Sequence, residues 1–228
     1  MPSQQLTLPI QLRDDATFDN FFVSNANQLL LQTLQQADQW FVYLWGAAHT
    51  GKSHLLQACC HVMSEQGGSC FYLSLADYRQ LDPQMLHDLS AMQLVCLDDV
   101  DAVAEDSAWQ EAIFHLYNEI NAAGHRLLVA ANASANELGL SLADLQSRFN
   151  AGVMFHLQPL NETGKLQALQ LRAHARGLKL SDEVGNFLLT RWSRDMQSLF
   201  DALEKLDQIA LTEKRKLTIP LVKASLNL

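Results

Sequence analysis

The sequence is short of positive charge. Sixteen Lys and Arg stand against 25 Asp and Glu, a formal net charge of −9 and a pI near 5.2. That balance argues against a free-standing DNA-binding protein, because phosphate neutralisation supplies most non-specific nucleic-acid affinity. Contact with DNA through a partner remains open. The N-terminus lacks a basic region followed by an apolar stretch, and no run approaches the roughly 18 apolar residues of a membrane span. The expectation is a soluble, cytoplasmic chain with no membrane partner. There are only four cysteines, Cys59, Cys60, Cys70 and Cys96, with no C-x-x-C pair among them. Three lie in apolar runs, so reduced core thiols are expected rather than a disulfide framework. There is no internal repeat and no low-complexity segment, which excludes a solenoid.

What is present is an ample apolar fraction, 48%, with 18% charged residues in 228. That suits one large domain, or a core domain with a small appendage, and not a disordered chain. Residues 1–17 read as a flexible arm, polar apart from Leu6-Thr7-Leu8-Pro9-Ile10. Residues 25–37 suit a helix with Leu29, Leu30 and Leu34 on one face. Five apolar runs then read as strands: 40–45, 70–75, 94–99, 127–132 and 153–157. Between them lie a helix bearing Leu55, Leu56, Cys59 and Val62, ended by Gly67-Gly68, and another from Trp109 to Ala123 with Ile113, Leu116, Tyr117 and Ile120 as its stripe. Strands alternating with amphipathic helices predict an α/β fold with a five-stranded parallel sheet. Beyond Pro159 the strands stop. Residues 162–176, 182–192 and 195–213 read as three helices, with Asn161 and Ser181 as N-caps and Gly177 as a stop. The expected layout is an arm (1–17), an α/β core (18–160) and a small helical subdomain (161–228).

Four motifs carry chemistry. Gly46-Ala47-Ala48-His49-Thr50-Gly51-Lys52-Ser53 matches G-x-x-x-x-G-K-S between a strand and a helix. In that context backbone N–H groups surround phosphates, helped by the helix N-terminus. Lys52 is then expected to reach the β- and γ-phosphates of ATP or ADP, and Ser53 to hold Mg²⁺. The second motif is the apolar strand ending in Asp98 and Asp99. Asp98 is placed to bind Mg²⁺ through water, and Asp99 to orient or activate an attacking water. Asn132 follows the fourth strand, where its amide can sense a γ-phosphate, position water or simply make a turn. Arg148 sits in Leu145-Gln146-Ser147-Arg148-Phe149; residues alone leave it a solvated or helix-dipole arginine. His49 and His54 flank the loop and read as loop-filling or surface residues. Trp40, Trp45 and Trp192 read as core or lid packing. Lys214-Arg215-Lys216 reads as a solvated helix end.

In order, these features resemble the AAA+ class of ATPases, and within it the DnaA clade. Phe18-Asp19-Asn20-Phe21-Phe22 followed by Asn25 is similar to the segment that precedes the nucleotide pocket in that clade. Asp98-Asp99 is the clade's acidic pair. Ser147-Arg148-Phe149-Asn150-Ala151-Gly152 resembles its S-R-F-x-x-G segment, whose arginine is a finger offered to a neighbour's nucleotide. The helices from residue 162 resemble the AAA+ lid. Within the clade the chain is most similar to the Hda family, regulatory inactivators of DnaA. No basic helix-turn-helix segment follows the lid up to Leu228, and Gln5-Leu6-Thr7-Leu8-Pro9 resembles the Q-L-x-L-[FP] peptide that binds the bacterial sliding clamp. Lys214 to Pro220 also resembles the end of Hda chains. One departure stands out. Where the family carries a nucleotide-sensing arginine in the third lid helix, this sequence has Gln197, with Arg194 three residues earlier. A neutral glutamine cannot make the bidentate phosphate contact of a guanidinium.

The resemblance implies a nucleotide-holding regulator at the replisome and nucleoid. Its partners would be the DnaA initiator, the DNA polymerase III sliding clamp (β subunit) through Gln5, Leu6, Leu8 and Pro9, and DNA only through the clamp. Arg148 would act in trans, with Asp99 and Asn132 as the remaining catalytic candidates. Gly46 to Ser53, Asp98, Gln197 and Arg194 would line the chain's own nucleotide. A homodimer through the finger is compatible with this. Alternatives are an autonomous ATPase running on Lys52, Asp98 and Asp99, a helicase-loader-like adaptor of the DnaA/DnaC clade, and a nucleotide-dependent scaffold.

Overall fold

The computed structural model describes residues 16–213 and 217–228. The peptide Gln5–Pro9 and the basic run Lys214-Arg215-Lys216 lie outside the described residues. Helix α1 (Gln28–Gln36) follows a 3₁₀ turn at Asn25–Asn27. Leu30 and Leu34 are buried, but Leu29 is 65% exposed, so the inward stripe is narrower than the sequence suggests. The strands are β1 (Phe41–Trp45), β2 (Cys70–Ser74), β3 (Leu94–Asp98), β4 (Arg126–Ala131) and β5 (Val153–His156). Between them run α2 (Lys52–Glu65), α3 (Ser107–Ala123) and α4 (Ala143–Ala151).

All strand pairs are parallel, in the order β2-β3-β4-β1-β5. The strands alternate their side chains between two cores. Phe41 and Tyr43 pack with Ile113, Leu116 and Phe149 on one face, while Val42 and Leu44 pack with Leu55, Leu56 and Cys60 on the other. Central strands buried on both faces are what their unbroken apolar runs dictate. Cys59, Cys60 and Cys96 are buried free thiols, and Cys70 is partly buried. Among the described residues no helix is long and apolar enough to cross a membrane.

A buried arginine ties α1 to the sheet. Arg126, 7% exposed at the start of β4, donates to the carbonyls of Thr33, Leu34 and Gln39. These carbonyls belong to the last turn of α1 and its exit; that of Thr33 also accepts from the Ala37 backbone N–H at 3.3 Å. Burial lowers the pKa of Arg126, as desolvation does for any cation, yet three acceptors keep it in place.

Helix α4 has no counterpart in the predicted elements. Its nine residues bury only Leu145 and Phe149, too sparse a stripe to stand out from the loop around it. Gln110 of α3, fully buried, fixes its approach by accepting from the Leu142 backbone N–H and the Ser141 hydroxyl while donating to the Ala104 carbonyl.

The C-terminal part is α5 (Glu162–Ala175), α6 (Asp182–Arg191), α7 (Met196–Glu213) and α8 (Ile219–Leu226). Three helices are expected and four are observed. The fourth is capped by Thr218, whose side chain accepts from the Leu221 N–H, and Pro220 sits in its first turn where no N–H is needed. Val222 and Leu226 bury its inner face. Eight residues with two inward anchors are below what periodicity can detect. Asn161 and Ser181 cap α5 and α6 through the backbone N–H groups of Gly164 and Val184.

Candidate functional site

The sheet order assembles the site. β4 lies between β1 and β3, so the segments leaving the carboxyl ends of these three strands are neighbours in space. Ligands of open α/β sheets bind at that edge. β1 leads into Gly46–Ser53, β3 ends in Asp98-Asp99, and β4 leads directly to Asn132.

The loop backbone is shaped by two residues with positive φ, His49 (61°) and Gly51 (105°). At Gly51 a Cβ would lie 2.8 Å from the Phe21 ring, and at Gly46 it would lie 2.5 Å from the Leu157 carbonyl oxygen. Both motif glycines are therefore required by close approach, the first by the segment before α1 and the second by the strand exit of β5. Lys52 opens α2 and is 5% exposed. Its ammonium donates to the carbonyls of Gly46 (2.9 Å) and Ala47 (3.0 Å) and to Oδ1 of Asn132 (3.0 Å). Burial lowers its pKa, opposed by the negative charges of Asp98, Asp99 and Asp101.

Asp98 is fully buried. Its Oδ2 accepts from the Tyr72 hydroxyl at 2.8 Å, its Oδ1 from the Asp99 backbone N–H at 3.0 Å, and Ser53 also hydrogen-bonds it. Burial raises its pKa, and the adjacent Asp99 adds to this, against the hydrogen bonds that favour the ionised form. Asp99 leaves the strand in the left-handed region, φ 55°, which turns its carboxylate away from β3. Its Oδ2 accepts from the Ser74 hydroxyl at 2.7 Å. The predicted strand end at Asp99 is thus one residue too long, and the two carboxylates have different hydrogen-bond partners. Among the described residues no group of three or more His, Cys, Asp or Glu could hold a metal ion. A hydroxyl and a carboxylate in contact suit Mg²⁺, which keeps several waters and shares phosphate oxygens.

A cleft of about 310 Å³ lies above this edge. Ala48 to His54, Asp99 and Asn132 line its base. Asn20, Phe21, Phe22 and Asn27 line one wall, and Leu160, Ala168, Arg172, Met196, Gln197 and Phe200 the lid side. Gln197 lines the cleft, with its amide donating to Asp201 at 2.8 Å. Arg194 does not line it; it is 76% exposed and pairs with Glu162 at 3.5 Å. The separation has a simple cause, since Arg194 precedes α7 while Gln197 is in its first turn. The basic lid residue at the cleft is instead Arg172 of α5, 5% exposed and stacked on Phe200 at 5.5 Å. Sequence reasoning passed over it because a lone arginine in a helix carries no signal. Asp101 was missed as well, although it stands three residues after Asp98. Trp192 is 37% exposed and donates to the Ser198 carbonyl, a lid surface residue rather than core.

Arg148 stands apart from all of these. It is exposed on α4 and lines no part of the chain's own cleft. Its guanidinium lies 6.0 Å from the Phe114 ring centroid and 5.8 Å from that of Tyr117. Aromatic faces hold a cation there without neutralising it.

The raised pKa of Asp98 has a stability consequence. A carboxylate whose folded pKa lies above its unfolded value stabilises the fold in its protonated form. That contribution is complete below the unfolded pKa and is lost as pH rises through the folded one. Above that folded pKa the ionised Asp98 therefore costs stability. Asp98→Asn removes the charge, and the Tyr72 and Ser53 hydroxyls can turn to accept from the amide. Its thermal midpoint without ligand is expected to exceed wild type by about 2–4 °C at pH 7–8. The gain should shrink as pH falls into the carboxylate range. A lower midpoint at neutral pH would contradict this account.

Fold and site define a P-loop protein of the AAA+ class, with a parallel five-stranded core and a helical lid closing over one cleft. The family model for the bacterial DnaA ATPase domain matches residues 12–156, more than half of the chain. A second model, Hda, lid domain, matches residues 162–226. The chain therefore belongs to the bacterial DnaA ATPase family, in the Hda/DnaA clade of AAA+ proteins. Among solved structures, domain III of the Thermotoga maritima replication initiation protein DnaA aligns with a TM-score of 0.79 at 20% identity, over 95% of this chain and 98% of that one. AMPPCP-bound DnaA from Aquifex aeolicus aligns with a TM-score of 0.74 at 22% identity, over 89% and 68%. The Thermotoga maritima RuvB Holliday junction branch migration motor aligns at 0.69 and 15% identity, over 95% and 73%. At such identities these likenesses speak for the fold alone.

Proposed function

We propose that this chain is a nucleotide-holding regulator that switches off the DnaA initiator by stimulating hydrolysis of DnaA-bound ATP to ADP. The observation that carries the reading is the position of Arg148. It lies outside its own cleft, exposed, in a chain of the DnaA family whose lid matches the Hda lid. An arginine inserted into a neighbour's pocket stabilises charge developing on the transferred phosphoryl group, and such fingers raise rates by roughly 10³–10⁵. Within the chain's own cleft, the loop N–H groups and Lys52 hold the phosphates of ADP or ATP. Ser53 and Asp98 would hold Mg²⁺, which supplies charge neutralisation at the phosphates. Asp99 and Asn132, which line the cleft with Lys52, would orient an attacking water. The bound nucleotide orders the contact between core and lid into a shape fit for docking.

The N-terminal peptide Gln5, Leu6, Leu8 and Pro9 tethers the chain to a DNA-loaded sliding clamp. Its leucines fill an apolar groove, and the tether raises local concentration so that each contact can be weak. The decisive assay measures DnaA-bound ATP hydrolysis with and without this protein, and with and without DNA-loaded clamp. Stimulation that needs both is expected. Stimulation without clamp, or retained clamp binding in the Gln5→Ala, Leu8→Ala double variant, would remove the tether. A second reading, an autonomous ATPase, is favoured by Lys52, Ser53 and Asp99 lining one cleft, with the buried Asp98 hydrogen-bonded to Ser53 beneath it. Multiple turnovers by the isolated protein without DnaA would decide for it.

A further inference from the structure

One carboxylate near the cleft belongs to none of the expected motifs. Asp101 lies in the 3₁₀ turn Val100–Val103 that follows β3. Its two oxygens accept from the same residue: Oδ1 from the Asn132 backbone N–H at 2.9 Å and Oδ2 from the Asn132 side-chain Nδ2 at 2.8 Å. On the other side, Oδ1 of Asn132 accepts from the Lys52 ammonium at 3.0 Å. An ammonium only donates and a carboxylate only accepts, so the amide has one orientation open to it. Its oxygen faces Lys52 and its nitrogen faces Asp101. An asparagine held at one end only could turn over; this one is held at backbone and side chain together.

We propose that Asp101 is the positioning residue for Asn132 in the nucleotide cleft, and that through Asn132 it sets where the Lys52 ammonium stands for phosphate. The inference rests on the nucleotide reading given above. Its geometry follows from the sheet, because β3 and β4 are neighbours and their exits meet. The Tyr43 hydroxyl donates to the Ala133 carbonyl at 2.9 Å, which anchors the residue after Asn132 and leaves the amide as the part that Asp101 controls. Replacing the carboxylate by an amide presents one acceptor to two donors. The Asn132 side chain then meets a second NH₂ group, and turning it over to escape would aim its own NH₂ at Lys52. Either outcome withdraws the oxygen that helps to place the ammonium. Hydrogen bonds to charged groups contribute enough for losses of roughly 10- to 100-fold in affinity when such an arrangement fails.

The test titrates fluorescent ADP and ATP against the full chain and its variants, with the thermal midpoint of each ligand-free protein measured beside them. Asp101→Asn is expected to weaken binding about tenfold, and Asn132→Ala by a similar factor. If Asp101 acts through Asn132, the double variant falls within about threefold of Asn132→Ala alone, because coupled residues are not additive. Asp101→Glu keeps an acceptor pair and should recover most of the affinity. A structural role predicts lowered midpoints with affinity unchanged, and that result would overturn the proposal. So would a double variant about a hundredfold weaker than wild type, the sum of two independent losses. If wild type binds nucleotide and Asp101→Asn binds equally well, this inference fails while the nucleotide reading stands. If wild type binds neither nucleotide, both fail.

Discussion

Arg148→Ala is expected to lower the protein's stimulation of DnaA-bound ATP hydrolysis by about 10³-fold or more, the scale of a finger supplied in trans. Its affinity for its own nucleotide should stay within about twofold, since the side chain makes no part of that cleft. The fold should also survive. Arg148 is exposed, and its described contacts are the faces of Phe114 and Tyr117, an arrangement that contributes about 0.5–1 kcal/mol at an exposed site. Arg148→Lys keeps the charge but loses the planar fork and should recover little of the stimulation. Single-turnover hydrolysis of labelled ATP on DnaA reads the effect directly. Undiminished stimulation by Arg148→Ala would leave only a scaffold role for this chain.

Lys52→Ala should act on the opposite side of the molecule's chemistry. The ammonium is nearly buried and held by three oxygens of loop and strand exit, with Asp98, Asp99 and Asp101 opposing the loss of its charge. Removing a desolvated cation from a phosphate contact costs about 2–5 kcal/mol, so ADP and ATP affinities should fall by roughly 30- to 5,000-fold. The readout is also thermal. Ligand at 100 times its Kd stabilises a binding protein by about 2.7 kcal/mol, which for a chain of this size is a rise of about 5–10 °C. Wild type should show that rise with ADP, and Lys52→Ala at the same ADP concentration at most about a third of it. An equal rise in both would place the nucleotide elsewhere.

The two variants separate two uses of one fold. Lys52→Ala reports on what the chain holds, and Arg148→Ala on what it offers to another molecule. If nucleotide orders the docking shape, Lys52→Ala also weakens stimulation of DnaA, but by raising the concentration of regulator needed rather than by lowering the rate at saturation. Arg148→Ala lowers the rate at saturation. The same assay, run over a range of regulator concentrations, distinguishes them.

Much of the architecture was legible because its signals are local. An apolar run ending in Gly46, followed by Lys52 and Ser53, can be read as strand, loop and helix without knowing any distant contact. The burial of β1, β3 and β4 on both faces wrote itself into unbroken apolar runs. Asn161 and Ser181 announced the starts of α5 and α6 through their own side chains. Elements with few inward residues left no such mark. α4 buries two side chains and α8 also two, and both escaped detection although one carries Arg148.

The composition, the five strands and the phosphate loop were determined by the sequence alone, because propensity, periodicity and turn chemistry act over a few residues. The order of those strands was decided only by the tertiary structure. Placing β4 between β1 and β3 is a matter of long-range pairing, and it brings Asn132 between Lys52 and Asp101. The same packing puts Arg172 rather than Arg194 at the cleft and leaves Arg148 outside it. A charge in a sequence has no direction; the backbone that carries it, and the neighbours that desolvate it, give it one.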